Sequence, residues 1–401
     1  MKSIWTFRKQ ILLQIFLISL AISLPAQTLQ EIESHRVSLP NGWKLTPVGK
    51  LLPLGDLPLN IAVSPSGKLA AITNNGESDQ TIQLVDIEKE VILDSIIIGK
   101  AWLGLAFSDD GKYLYASGGN DNMIVRYEIR ENHLSLLDAI KLGEAWPVKI
   151  SVAGIALDDA RHRLYVVTKE DNSLYVLDTQ SKKVISKFPL DGEGYTCLLS
   201  PNHKLLYISC WGCDKIITFD TDKQKITGAI PVGDNPNDLC INKNGNLLYV
   251  ANANDNTVSV INTQQLKVIE TLNSALYAGS PSGSTTNSVA LSSDEKTLYV
   301  ANADNNCLAV FDVTTPGSSK SKGFIPTAWY PTCIRIAKDK ILVSNGKGLS
   351  SHANPFGPSP AREGDVVVYQ AAGKEHKIKE QYIGGLFRGT LQQPRACVQV
   401  F

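Results

Sequence analysis

The side chains equipped for chemistry in this chain are few and far apart. Cys210-Trp211-Gly212-Cys213 is a C-x-x-C pair. A thioredoxin-like role needs the first Cys at a helix N-terminus, which stabilises its thiolate. Here the pair brackets a predicted β-turn. A structural zinc would want a second pair, and the sequence has none. The pair therefore reads as structural thiols or a local bridge. Cys197, Cys240, Cys307 and Cys333 lie in or beside predicted strands and read as core. The six histidines are His35, His133, His162, His203, His352 and His376, with no H-x-H or H-x-x-x-H spacing. No metal site and no cofactor are expected. His352 falls in a long loop near Arg362 and Glu363, the candidates for acid/base work of a lactonase-like kind. A merely solvated loop is the plainer alternative. Gly-rich phosphate loops and G-x-S-x-G elbows are absent.

A second group could recognise rather than react. Trp102, Trp146, Trp211 and Trp329 fall in predicted loops, with Tyr195, Tyr277 and Tyr330 beside them. Aromatic rings offer large contact area at little entropy cost. The same rings could instead pack between structural units and brace long loops. Asn237, Asn287 and Thr332 begin predicted strands, where amide and hydroxyl groups could hydrogen-bond a polar ligand, or simply satisfy strand ends.

These residues are carried by a repeated unit. Leu248-Tyr249-Val250-Ala251-Asn252 recurs as Leu298-Tyr299-Val300-Ala301-Asn302. Looser copies begin at Ala70, Leu114, Leu164, Leu206 and Ile341. The seven anchors are spaced by 44, 50, 42, 42, 50 and 43 residues, the period of a propeller blade. Each copy has a short apolar strand, a polar turn, the anchor strand, an Asn/Asp-rich turn, an alternating strand such as 257–261, and a fourth strand such as 268–272. Short β-branched runs between Gly/Asn/Asp turns predict antiparallel strands. The expected fold is all-β: a seven-bladed β-propeller with four antiparallel strands per blade. Asp86, Asp178, Asp220, Asn262 and Asp312 recur at the end of the third strand and read as Asx-turn residues. The insertions at 143–153 and 273–287 and the irregular stretch 345–364 all fall on one predicted face. The four loop tryptophans fall there too, so that face, opening onto a central channel lined by first strands, is the candidate site.

The N-terminus reads as an address. Lys2, Arg8 and Lys9 precede an apolar run of 15 residues at 10–24, short for a bilayer span and apt for a signal-peptide core. Residues 1–26 are the expected signal peptide, with no lipobox cysteine nearby. An uncleaved anchor is the alternative. No later segment is long and apolar enough to predict a membrane span. The expected location is periplasmic or secreted. Residues 27–43 are then a lead-in and 44–387 the propeller. Residues 44–54 are expected to close the last blade as its outer strand, or else to be an unpaired linker. Residues 388–401 are expected to be an irregular tail.

The run Leu248 through Ile261 (LYVANANDNTVSVI) resembles the YVTN-repeat, YncE-like propellers. Other pieces are 54–65 (LGDLPLNIAVSP), 343–348 (VSNGKG), 354–358 (NPFGP) and 382–387 (YIGGLF). Together they resemble exported proteins in which such a propeller precedes an alkaline-phosphatase-type phosphoesterase domain. That resemblance implies a further few hundred residues, whereas this chain stops at Phe401. It yields the expectation of a truncated or frameshifted chain, and no metal or nucleophile position is carried over.

Three functions follow as expectations. The first is a non-enzymatic binding platform for a small polar ligand or a protein domain, by the resemblance a phosphoesterase domain. The second is a lactonase-like hydrolase at the channel mouth. The third is single-stranded nucleic-acid binding on the tryptophans. The 39 basic residues only balance the 39 acidic ones, which counts against the third, because backbone binding wants a basic groove.

Overall fold

Every residue of the 248–251 anchor is apolar, a pattern suited to a strand buried on both faces. Side-chain alternation sends successive residues to opposite sides. Leu248 and Val250 pack with Tyr207, Ile216 and Ile230 of the preceding blade, while Tyr249 and Ala251 pack with Val289, Leu298 and Phe311 of the following one. A fully buried side chain of this kind contributes about 1.5–3 kcal/mol. The same division recurs around the molecule.

The computed structural model describes residues 36–39, 42–349, 367–371, 374–378 and 387–394. It is all-β, a seven-bladed propeller of four antiparallel strands per blade. The first, channel-lining strands are Pro58–Val63, Leu105–Phe107, Val152–Asp158, Gly194–Leu199, Pro236–Ile241, Thr286–Leu291 and Trp329–Ala337, which open blades 1 to 7 in order. Seven apolar clusters fill the seven gaps between neighbouring blades. The cluster joining blade 7 to blade 1 sets Leu342 and Leu391 against Ile61 and Ile72.

The ring is closed by both ends of the chain. Lys50–Pro53 is the outer strand of blade 7 and pairs with Thr390–Gln393, Leu52 lying opposite Leu391. The closing strand is shorter than 44–54, because Lys44–Leu45 pairs instead with Val37–Ser38. Residues 388–401, expected to be irregular, thus supply the third strand of blade 7 at Thr390–Gln393. The connection after Lys340–Gly348 is correspondingly longer than 345–364, and Val367–Ala371 and Lys374–Ile378 form a hairpin of their own within it. A hairpin pairs locally whatever the ring does, so a strand-like pattern there did not reveal its place. Residues 1–26, expected to be a signal peptide, lie outside the described residues.

The repeated turn residues do local work. Asp86, Asp178, Asp220, Asn262 and Asp312 each accept a backbone N–H from two or three residues on. Glycine matters where a blade-to-blade loop crosses the end of the anchor strand. A Cβ on Gly233 would stand 2.2 Å from Asp255 Oδ2 and 2.6 Å from Asn252 Nδ2. Only a residue without a side chain fits there.

Candidate binding site

Two places on the propeller gather polar and aromatic groups: the rim carrying the long loops, and the axial channel. The fourth-to-first and second-to-third connections put Trp102, Trp146 and Trp211 at one end of the ring, and Trp329, expected in a loop, opens the first strand of blade 7 at that same end. Each has a lysine over its ring. Lys169 Nζ lies 5.4 Å from the centre of Trp102 and 5.7 Å from that of Trp211, bridging blades 2, 3 and 4. Lys347 Nζ lies 5.5 Å from Trp329 and 4.3 Å from Tyr330, and Lys149 Nζ lies 5.6 Å from Trp146. An ammonium over an aromatic face contributes roughly 0.5–1 kcal/mol where exposed. Trp329 also meets Phe387 edge-on at 5.4 Å. Tyr330 holds φ at 67°, with its N–H donating to Asn306 Oδ1 at 2.9 Å. A left-handed backbone is costly for a bulky residue, of order 1–3 kcal/mol. Trp146 and Tyr277 are exposed.

The Cys210–Cys213 pair is closed as a disulfide around a single 3-10 turn, Trp211–Cys213. The turn holds Trp211 at the rim, where its N–H donates to Glu193 O at 2.7 Å and its carbonyl accepts from Asn235 Nδ2 at 2.9 Å.

The channel is crossed at its waist by a polar cluster. Asp238 sits in the bulge between Pro236 and Leu239, which turns its carboxylate inward. Arg335 donates from Nη1 to Asp238 Oδ2 at 2.6 Å and from Nη2 to Asp238 Oδ1 at 3.2 Å, a bidentate pair. Nη2 also reaches Asn60 Oδ1 at 3.1 Å, and the Ser288 hydroxyl donates to Asp238. Asn60 Nδ2 in turn donates to Leu103 O at 2.5 Å. Burial pulls the Arg335 pKa down, but the facing carboxylate outweighs it and the net direction is up, so the guanidinium stays charged. Tyr195, Asn287 and Thr332 line the same narrow waist. Asn237 Nδ2 donates to Asn287 Oδ1 at 3.1 Å, and Thr332 donates to Pro58 O at 2.5 Å. The pKa of Tyr195 is pushed up by burial.

Beyond the waist, away from the tryptophans, lies a cavity of about 530 Å3 that ends among the short first-to-second-strand turns carrying Lys243, Ser292 and Glu295. Its size is that of a small-ligand pocket. Strand register makes Ala62, Ala106, Ala156, Leu198, Cys240 and Ala290 equivalent in blades 1 to 6, with Arg335 at the seventh position. Ala62, Leu198, Cys240, Ala290 and Arg335 of this set line the cavity. One charged side chain therefore takes a position that is small or apolar in every other blade. Burial pushes the pKa of the Cys240 thiol up.

The structure thus joins Trp102 to Trp211 through Lys169, and Trp329 to Tyr330 through Lys347. It gathers Tyr195, Asn237, Asn287 and Thr332 around the waist. It leaves Trp146 and Tyr277 at the rim, and His352 and Arg362 lie outside the described residues. Sequence reading missed Asn60, Asp238, Ser288 and Arg335. A signal existed for three of them. The residues ten places before the first six anchors are Asn60, Gly104, Gly154, Thr196, Asp238 and Ser288, a column of polar or small groups where a buried strand should be apolar. Among the described residues no group of three or more His, Cys, Asp or Glu could hold a metal.

Fold and channel together define a seven-bladed β-propeller. Residues 196–357 match the family model described as lactonase, 7-bladed beta-propeller. The chain is similar to hydrazine synthase subunit beta of Kuenenia stuttgartiensis, 29% identical over 240 residues, which are 51% of this chain and 53% of that protein. It therefore spans about half the length of the curated relative it matches. Among solved structures, Kuenenia stuttgartiensis hydrazine synthase superposes with a TM-score of 0.59 at 15% identity, over 72% of this chain and 92% of the other. The RRP9 WD40 repeats superpose at 0.64 and 13%, over 89% and 99%. At those identities the structural likenesses show the fold alone.

Proposed function

We propose that this protein is an exported, non-enzymatic binding platform of the YVTN-repeat, YncE-like kind, and that it docks a partner domain on its tryptophan-bearing face. The observation that carries the reading is the placing of Trp102, Trp211 and Trp329 at one rim, each held under a lysine. Rigid aromatics beside cations make contact with a protein surface at low entropy cost. Export rests on the basic and apolar N-terminal segment, and a phosphoesterase partner rests on the family resemblance. The relative at 29% identity is by name a subunit, which suits an assembling role. Amine cross-linking of the protein in its exporting cell, read by mass spectrometry, tests this. Cross-links to a partner should concentrate on Lys149, Lys169 and Lys347 and fall on changing Trp102 and Trp211 to Ala. Links spread evenly over outer-strand lysines such as Lys183, Lys225 and Lys267 would remove the reading.

A lactonase-like hydrolase is the second reading, favoured by the match over residues 196–357. It predicts turnover of a simple lactone that is lost in His352→Ala or Arg362→Ala.

A further inference from the structure

The axial cavity is a site distinct from the tryptophan rim, and the inference from it does not depend on the partner reading. We propose that it binds a small neutral amphiphile, entering from the short-turn face. The polar head, a hydroxyl, amide or carbonyl, meets the Arg335–Asp238 pair, and the apolar body lies along Leu105, Ile155, Leu198 and Ile336.

Three features select this chemistry. First, the cavity of about 530 Å3 is walled mainly by aliphatic side chains of first strands, so an apolar body is favoured by burial. Second, its polar groups lie at the two ends with an apolar stretch between them. Asp238, Arg335 and Asn60 close the waist end, from blades 5, 7 and 1, Lys243, Ser292 and Glu295 edge the mouth, and between them blades 2 and 3 present Leu105 and Ile155. Third, the charges at the waist are already matched. The Arg335 hydrogen bonds run from Nη1 and Nη2, and Nε–H has no partner among the described residues. The Arg335 and Asp238 side chains remain 28% and 14% exposed. An incoming anion would meet the Asp238 carboxylate and an incoming cation the guanidinium. Either would also leave water for an apolar stretch whose inner end offers no unmatched counter-charge. A neutral head avoids both costs and still finds a donor and an acceptor side by side.

The test is a matched series: 1-hexanol, hexanoate and hexylammonium, titrated into the full chain and followed by methyl NMR. Saturable shifts of Ile155, Ile241 and Ile336, with exposed Ile97, Ile185 and Ile226 unmoved, are expected for hexanol. The two ions should bind at least about tenfold more weakly. Ala62→Leu, which adds bulk at a small position of the lining, should abolish the shifts while the β-sheet circular dichroism of the wild type is kept. The double change Arg335→Met with Asp238→Leu should erase the preference for the alcohol while hexanol still binds. If that double variant does not fold, Ala62→Leu and the head-group order decide alone. Hexanoate binding as tightly as hexanol, shifts at the outer-strand isoleucines Ile97, Ile185 and Ile226, or no saturable shifts would each overturn the proposal.

Discussion

Asp178 shows how one repeated carboxylate supports a turn. The backbone N–H of Ser181 and then its hydroxyl, followed by the Arg163 guanidinium, hold its pKa down from 3.8 to about 2. A folded-state value below the unfolded one means the stabilisation is complete above the unfolded pKa and is lost as pH falls through the folded one. Asp178→Asn should therefore melt below wild type by a constant margin above about pH 5, and the gap should close between about pH 4 and pH 2. Thermal melts across that range check it. At the rim, Lys169 holds two tryptophans together. Lys169→Met keeps the aliphatic stem and removes the charge, so stability should drop by about 0.5–2 kcal/mol. Lys183→Met, on an exposed outer strand, should change little. Urea titration separates the two.

At the scale of a strand and its turns, close approach is what the blade imposes. The loop before blade 5 lays Gly233 against Asn252 at the end of the anchor strand, and the Asn252 amide donates to Thr257 and Ser259 at 2.9 Å each. Gly233→Ala should push that amide aside and cost about 1–3 kcal/mol. Gly212→Ala, whose Cβ would meet nothing nearer than 3.6 Å, is the control. Equal melting temperatures for the two variants would contradict this account of the loop.

For the whole molecule the decisive joint is where the two ends meet. Gln392 is fully buried on the third strand of blade 7. Its Oε1 accepts from Ala328 N at 3.0 Å, and its Nε2 donates to Val48 O at 2.8 Å and Pro326 O at 3.3 Å. One side chain thereby ties blade 7 to blade 6 and to the N-terminal segment. Gln392→Ala would strand these backbone groups in the interior, at a cost of about 3 kcal/mol or more. The signature should be a lower melting temperature with early proteolytic loss of the segment around Val48, whereas Gln393→Ala, which removes one hydrogen bond from a half-buried amide to Ile87 O at 3.0 Å, should cost less.

The amino-acid order determined the blade count, the strand order within most blades, the Asx turns and the loops that bear tryptophan. All of these depend on a local period of two and on turn residues near in sequence. The tertiary structure alone decided what fills the channel. Asp238 and Arg335 lie 97 residues apart and Asn60 lies 275 residues from Arg335, and they meet because the ring closes. The polar column ten residues before the anchors was present in the sequence, but its partner at Arg335 is set by a shorter turn in blade 7. The place of Thr390–Gln393 was equally hidden. Four residues carry too little pattern to announce a strand, and only the edge left by Lys340–Gly348 on one side and Lys50–Pro53 on the other makes them one.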